Sequence, residues 1–205
     1  MARNSRRLSR RPGTADEAET IAIVCEGEKT EDIYFNGIRR EFRLATARLR
    51  VVTLGADPLR VVQEAEALRP EYDNAWAVFD VEAPGAHAIP HARLNQAVER
   101  AARVGVQCAI SNPCFELWLL LHFSSQTAFV NNEAVRAKIK KCPCGYSDKG
   151  FDFAKVWPHH QQAMQNAAAL HVRQQSNNRA IGDRNPWTSV HELVGKLLEL
   201  SKRQG

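Results

Sequence analysis

The feature that most constrains the fold is a run of five apolar residues, Ile21–Cys25, that changes abruptly into charged residues. A continuous run rich in β-branched residues is typical of a strand buried on both faces, as in a parallel sheet. Gly27 can form the tight turn after this strand, and Thr30 or the turn before it can cap the helix that follows. Glu26, Glu28 and Glu31 would then lie at the edge where open α/β sheets bind ligands.

Strand and helix patterns alternate after this first segment. The predicted strands are 20–25, 49–54, 75–79 and 106–110, and the predicted helices are 29–43, 58–69, 89–104 and 115–123. Asp57 is a candidate N-cap for the second helix, with Pro58 at its first position. This order predicts an α/β fold with a parallel sheet of about four strands and helices on both faces.

Three parts of the chain differ in their pattern. We predict a disordered basic N-terminal tail (1–19), an α/β core (20–124) and a helical C-terminal extension packed on the core (125–205), with helices over 132–141, 154–175 and 188–203.

No apolar run approaches the ~20 residues of a membrane span, so no membrane association is expected. The start of the chain lacks the apolar stretch of a secretory signal. Five cysteines, mostly in apolar surroundings, are typical of reduced thiols in a cytoplasmic protein.

The net charge of +5 is concentrated in the tail, where five arginines, among them Arg6 and Arg7, lie within the first eleven residues. The tail is either a solvated terminus or an arm that adds affinity for nucleic-acid phosphates. A second basic run consists of Arg136, Lys138, Lys140 and Lys141. This run is either a solvated face or a surface that binds the phosphate backbone of DNA or RNA.

Further acidic residues follow the later strands. Asp80 and Glu82 stand at the end of the third strand. If that strand persists through Glu82, both side chains point the same way, with α-carbons ~6.6 Å apart. Glu116 is the lone charge of an apolar helix, and a buried carboxylate needs a partner or a metal. Each acid alone has a structural explanation, such as stabilisation of a helix N-terminus by Glu31. Together with Glu26 they indicate a site for a hard cation such as Mg²⁺.

These segments resemble a Toprim domain, the metal-binding fold of topoisomerases, bacterial primases and OLD-family nucleases. The Toprim pattern is a glutamate in a Glu-Gly context after the first strand and Asp-x-Asp after the third, here Glu26-Gly27 and Asp80-Val81-Glu82. A more specific resemblance is to RloB-like proteins, a bacterial family associated with restriction, phage-defence and abortive-infection loci. It is carried by CEGEKTEDIYF (25–35), YDNAWAVFDVE (72–82), SNPCFELWLLLHF (111–123), GYSDKG (145–150) and NPWTSVHELV (185–194).

The resemblance implies a Toprim-type nuclease that uses Mg²⁺ or Mn²⁺ to cleave phosphodiester bonds. We expect Asp80 to be the principal metal ligand, with Glu82 assisting directly or through water. Glu26 is expected as a second ligand or as the general acid–base, and Glu31 and Glu116 hold a second metal or orient the first ligands. Glu82 departs from the family motif, which usually has aspartate there. The carboxylate of Glu82 therefore lies at the end of a longer side chain.

Supporting roles are predicted for residues in the turns. Ser111 and Asn112 either orient Glu116 or a phosphate, or cap the helix. Lys149 either stabilises developing phosphate charge or is a solvated loop lysine. Gly27 shapes the turn beside Glu26.

An alternative function is that of a Toprim-like subunit that acts only with, or regulates, a partner AAA- or ABC-type ATPase. RloB-like genes resemble partners of such ATPase genes. The sequence contains no G-x-x-x-x-G-K-[ST] motif, so any use of ATP would depend on another chain. Phosphoryl or nucleotidyl transfer other than hydrolysis would use the same acidic site.

The remaining candidates fit metal or nucleic-acid sites less well. Cys142 and Cys144 resemble half of a zinc knuckle, but no second pair follows. His160 and His171 lie on one predicted helix, eleven residues apart, which is not a metal-binding spacing. His122 and the four tryptophans are expected in the core.

Overall fold

A computed structural model of the chain describes residues 19–45, 48–82, 92–176 and 179–202. Its strands are β1 (Ile21–Cys25), β2 (Leu49–Thr53), β3 (Asn74–Asp80), β4 (Gln107–Asn112) and β5 (Trp187–Thr188). Its helices are α1 (Thr30–Glu41), α2 (Pro58–Leu68), α3 (Ala92–Val104), α4 (Glu116–Leu121), α5 (Asn132–Ile139), α6 (Phe153–Val156), α7 (His160–Ser176) and α8 (Val190–Lys202). The tail with Arg6 and Arg7, and the predicted start of the third helix at 89, lie outside the described residues.

The five strands form one sheet in the order β2-β1-β3-β4-β5. The first four are mutually parallel, which confirms the predicted α/β fold. β5 is an addition to the prediction and pairs antiparallel with β4 through Ser111–Thr188 and Asn112–Trp187. The prediction that a helix begins at residue 188 is therefore wrong, because Thr188 belongs to the sheet and the helix starts at Val190. Two residues are too few to give a strand periodicity.

Alternate residues of β1 point into two separate hydrophobic cores. Ile21, Ile23 and Cys25 lie in the larger core, which also contains residues of α1, α4, α7 and α8. Ala22 and Val24 lie in a smaller core with residues of α2 and α3. Because both faces of the strand are covered, β1 has the unbroken apolar run from which a parallel sheet was predicted.

The predicted helix 154–175 is interrupted. α6 ends at Val156, and Trp157–His159 forms a 3-10 turn before α7 begins. Pro158 explains the break, since proline has no backbone N–H to donate to the preceding helical turn.

The larger core is aromatic around the buried Tyr34. The hydroxyl group of Tyr34 lies 3.3 Å from Nε2 of His122, whose Nδ1 lies 3.0 Å from the carbonyl oxygen of Trp118. Burial lowers the pKa of His122 to about 4, so the ring is neutral at physiological pH. The predicted core positions of His122 and of the tryptophans are confirmed. The buried tryptophans are Trp76, Trp118, Trp157 and Trp187.

Asp57 caps α2 as predicted, since its carboxylate accepts a hydrogen bond from the backbone N–H of Leu59 at 3.1 Å. This bond satisfies one of the free N–H groups of the first turn. In the part of the chain that the structure describes, no helix is both long and apolar enough to cross a membrane.

Two helical glycines provide a matched test of the packing. A methyl group at Gly37 of α1 would overlap the ring of Phe153, whereas one at Gly195 of α8 would meet its nearest atom, in Met164, at 3.6 Å. We expect Gly37→Ala to destabilise the protein by about 1–3 kcal/mol through overpacking. We expect Gly195→Ala to stabilise it by about 0.5–1 kcal/mol through helix propensity. Urea unfolding of both variants tests this, and equal effects would contradict the close approach of Phe153 to α1.

Candidate functional site: an acidic cleft at the carboxyl edge of the sheet

A cleft of about 660 Å³ lies where β1 and β3 end. Since β1 is parallel to both β2 and β3, the segments after these strands meet at one edge. The described residues lining this acidic cleft include seven acids, Glu26, Glu28, Glu31, Asp57, Asp80, Glu82 and Glu116, and three bases, Lys29, Arg136 and Lys149. The acids outnumber the bases by four, and such an excess favours a cation.

Glu26 is held between two strands. Its backbone N–H donates to the carbonyl oxygen of Val78 at 2.8 Å, and its carbonyl oxygen accepts from the N–H of Gly55 at 3.0 Å. Its side-chain Oε2 accepts a hydrogen bond from the backbone N–H of Asp80 at 2.9 Å. The carboxylate of Glu26 is thereby fixed beside the end of β3.

Gly27 leaves the space that the Glu31 carboxylate occupies. A Cβ at Gly27 would overlap both carboxylate oxygens of Glu31, so any other residue there would displace that side chain. Glu31 lies in the first turn of α1 and is only 5% exposed. Thus the Glu-Gly turn after β1 positions two acids, Glu26 through the sheet and Glu31 through the space beside Gly27.

Asp80 is the last residue of β3 and the most unusual acid of the site. Its Oδ1 atom is inaccessible to water and has no hydrogen-bond partner among the described residues. Burial, followed by the negative charges of Glu31 and Glu26, raises the pKa of Asp80 well above its usual range, although a backbone hydrogen bond from Phe115 opposes the shift. A bound cation would remove this penalty.

Glu82 reaches the cleft by a different route from the one predicted. β3 ends at Asp80, and Glu82 has a φ of +46°, so the strand does not persist and the expected parallel side-chain directions are wrong. The backbone N–H of Glu82 donates to the carbonyl oxygen of Pro113 at 3.0 Å, which bends the chain towards the β4 end. Glu82 is exposed, and it still lines the cleft.

Glu116 is 4% exposed and has three polar neighbours. The hydroxyl group of Tyr146 donates to its Oε1 at 2.7 Å, and the Thr30 hydroxyl lies 3.5 Å from the same atom. Nε of Arg136 lies 4.0 Å away and forms an ion pair. The predicted need of a buried carboxylate for partners is met by these side chains, and the position of Glu116 is fixed by them.

The 145–150 loop closes one side of the cleft. The Thr30 hydroxyl donates to the carbonyl oxygen of Lys149 at 3.0 Å, and Lys29 pairs with Asp148 at 3.1 Å. Thr30 therefore anchors this loop instead of capping α1 with its side chain. Lys149 lines the cleft close to the acids. Its positive charge partly opposes the rise in pKa that burial causes in Glu26 and Glu31.

The carboxylates of Glu26 and Glu31 are strongly perturbed. Burial raises the pKa of Glu26 to about 7, with smaller contributions from Glu82 and Asp57. Burial, with further contributions from Glu116 and Glu26, raises the pKa of Glu31 to about 7. Carboxyl groups with such values exchange protons near neutral pH, as a general acid–base must.

Ser111 and Asn112 do not have the predicted contacts. The Ser111 hydroxyl lies 3.0 Å from that of Thr188, and Asn112 bonds to Gly182 and Asn185, each at 3.0 Å. Both are 1% exposed, so their polar atoms join β4 to the C-terminal segment. The prediction that they orient Glu116 or a phosphate is wrong, because β5 occupies that side of β4.

The second basic run divides between the cleft and the surface. Arg136 lines the cleft, while Lys138 donates to Gln126 at 2.6 Å. Lys140 and Lys141 are exposed at the end of α5. The structure thus places one of these four cations in the cleft and leaves their binding roles as predictions.

Sequence reasoning did not assign two residues to the site. Asp57 lines the cleft, and Tyr146 holds one of its acids, Glu116. Tyr146 lies within the GYSDKG segment of the family resemblance, but its contact with Glu116 spans 30 residues and has no local signature. Asp57 was predicted only as a helix cap. Glu28, which was predicted to lie at this edge with Glu26 and Glu31, does line the cleft.

The comparisons with known proteins give one match. A family model described as RloB-like protein matches residues 21–197. Comparison with curated proteins and with solved structures gave no match.

The raised pKa of Glu26 predicts a pH-dependent stability in the absence of metal. Its folded-state pKa of about 7 exceeds the ordinary 4.5, so the folded protein binds this proton more tightly than the unfolded chain does. The contribution of Glu26 to the free energy of unfolding therefore falls as pH rises from about 4.5 to about 7. We expect Glu26→Gln, which keeps an oxygen acceptor for Asp80, to be more stable than wild type by about 1–3 kcal/mol at about pH 8 and equally stable near pH 4.5.

Thermal and urea unfolding in a chelating buffer at the two pH values measure this difference. Glu71→Gln is the control, because Glu71 is exposed just before β3 begins, at the opposite edge of the sheet. A Glu26→Gln variant that is no more stable than wild type at either pH would contradict the burial of a charged carboxylate.

Proposed function

The chain belongs to the RloB-like protein family, and we propose that it is a divalent-metal-dependent nuclease that cleaves nucleic-acid phosphodiester bonds in cytoplasmic anti-phage defence. The observation that carries the proposal is Asp80 Oδ1, a carboxylate oxygen buried without a hydrogen-bond partner among the described residues, in a cleft with an excess of acids. A carboxylate withdrawn from water without a partner is destabilising unless a cation neutralises it.

The donor set of the cleft suits Mg²⁺ or Mn²⁺. Carboxylate oxygens are the donors that these hard ions prefer, and Mg²⁺ commonly binds through one or two carboxylates while keeping several waters. Asp80 and Glu26 are the proposed first ligands, with Glu82 assisting and with Glu31 and Glu116 available for a second ion. A bound ion would polarise a phosphoryl oxygen and lower the pKa of a coordinated water.

The protein's own groups support proton transfer and substrate placement. Glu26, with its pKa near 7, is the proposed general acid–base, since it can accept and release a proton at neutral pH. Lys149 and Arg136 are the proposed phosphate contacts, because both line the cleft as cations next to acids. Tyr146 keeps Glu116 in place through its hydrogen bond at 2.7 Å.

Removal of the Asp80 carboxylate tests the proposal directly. We expect Asp80→Ala to lose Mn²⁺ and Mg²⁺ binding in calorimetry and to lose cleavage of DNA and RNA substrates, while thermal unfolding remains cooperative. Removal of one ligand together with its buried charge should weaken metal binding at least about tenfold. Glu71→Gln, at the opposite edge of the sheet, should bind and cleave as wild type does.

Undiminished cleavage by Asp80→Ala would overturn the assignment of this residue. Metal binding without cleavage would favour the alternative function, a subunit that needs a partner ATPase or another trigger. The absence of Mn²⁺ and Mg²⁺ binding in wild type would show that the acids are structural.

The exposed lysines that follow α5 predict a surface for the phosphate backbone. We expect the double change Lys140→Ala and Lys141→Ala to weaken nucleic-acid binding equally for all sequences and to lower the slope of log K against log salt by about 1 for each phosphate that is no longer neutralised. Fluorescence anisotropy at several salt concentrations measures the slope. Arg40→Ala is the control, since Arg40 is exposed near the end of α1, about 15 Å along the helix from the cleft. An unchanged slope in the double variant would place the nucleic acid elsewhere.

A further inference from the structure

A second group of potential metal ligands lies among the C-terminal helices. It consists of His171 on α7 together with His191 and Glu192 near the start of α8, and one ligand atom of each lies within 4.8 Å of the other two. The described residues that line the acidic cleft come from other segments of the chain. The two groups can therefore be tested separately.

The approach of these side chains depends on the packing of α8 against α7. Nδ1 of His171 lies 3.7 Å from Oε1 of Glu192, and the two imidazole rings lie 5.8 Å apart at an angle of 72°. In a tetrahedral zinc site with bonds of about 2.0–2.1 Å, ligand atoms are about 3.3 Å apart. The 3.7 Å between His171 Nδ1 and Glu192 Oε1 is already near that separation. Rotation of the exposed Glu192 side chain can shorten the distance further.

The donor chemistry differs from that of the acidic cleft. Two imidazole nitrogens and one carboxylate form a set that zinc and neighbouring transition metals prefer, whereas Mg²⁺ prefers oxygen alone. His191 Nδ1 is inaccessible to water and has no hydrogen-bond partner in the described part of the chain.

A simple ion pair between His171 and Glu192 explains this arrangement less well. Such a pair accounts for two of the three donors and leaves unexplained the approach of His191, whose ring lies 5.8 Å from that of His171. The group presents three donor atoms, two imidazole nitrogens and one carboxylate oxygen, to a dication. We infer that His171, His191 and Glu192 form a binding site for a zinc-type divalent transition metal that clamps α8 onto α7.

Three protein ligands leave a fourth coordination position for water. Structural zinc sites usually have four protein ligands, so this site is of the open type. The ion joins the start of α8, directly after β5, to α7. Its removal therefore affects the stability of the C-terminal part of the chain, while the acids of the cleft keep their own contacts.

The test uses the full chain freed of metal by a chelator and titrated with Zn²⁺ alone. We expect Zn²⁺ to bind wild type and raise its melting temperature, and His191→Asn and Glu192→Gln each to weaken binding at least about tenfold. Glu192 is exposed, so Glu192→Gln keeps the test valid if His191→Asn fails to fold. His159→Asn, an exposed histidine outside the group, is the matched control and should bind as wild type does.

Two further measurements separate this site from other metal-binding groups. Zn²⁺ binding should persist in Asp80→Ala, so failure of the nuclease proposal and failure of this one are distinguishable. The Co²⁺ complex should lack the near-ultraviolet charge-transfer band of thiolate ligands, which excludes Cys142 and Cys144. Unchanged Zn²⁺ affinity in both Glu192→Gln and His191→Asn, or a thiolate band that disappears in Cys142→Ser, would overturn the inference.

Discussion

The acidic cleft depends on the parallel pairing of β1 with its two neighbours. Hydrogen bonds between backbone groups hold the ends of β1, β2 and β3 in register, and the backbone of Glu26 continues both ladders for one more residue. The backbone thus brings the segments that carry the carboxylates together, and the Glu26 carboxylate adds its own bond to the N–H of Asp80. Burial, followed by the mutual repulsion of the carboxylates, raises the pKa of Asp80, yet the sheet prevents them from separating. The acids held together at this edge lower the stability of the fold, which is typical of functional sites.

Segments distant in sequence complete the cleft through a few polar contacts. The hydroxyl groups of Thr30 and Tyr146 connect α1, the Glu116 carboxylate and the 145–150 loop. Asp148 and Lys149 both have positive φ angles, of 45° and 59°. The two residues form a tight turn that holds the cationic side chain of Lys149. The site therefore combines acids from the sheet with a cation from the C-terminal half of the chain.

The parallel sheet, the acids at the strand ends and the two-sided burial of β1 could be predicted because each follows from a local pattern and one topological rule. Glu26 and Asp80 are examples. The turn at Glu82 could not, since a positive φ in a glutamate leaves no mark in the sequence. The contacts of Tyr146 with Glu116 and of His171 with Glu192 depend on tertiary packing between separate elements, which spacing along the chain does not reveal.

The edge position of β5 has a consequence for the order in which the chain acquires its structure. Ser111 and Thr188 are 77 residues apart in sequence, yet their hydroxyl groups meet across the last pair of strands. During synthesis β4 emerges long before its outer partner, β5. The outer edge of β4 therefore stays unpaired until most of the helices have been made. An unpaired edge of this kind can pair with another chain. The two residues of β5 therefore complete the sheet, and until they are made the outer edge of β4 stays open to pairing with another chain.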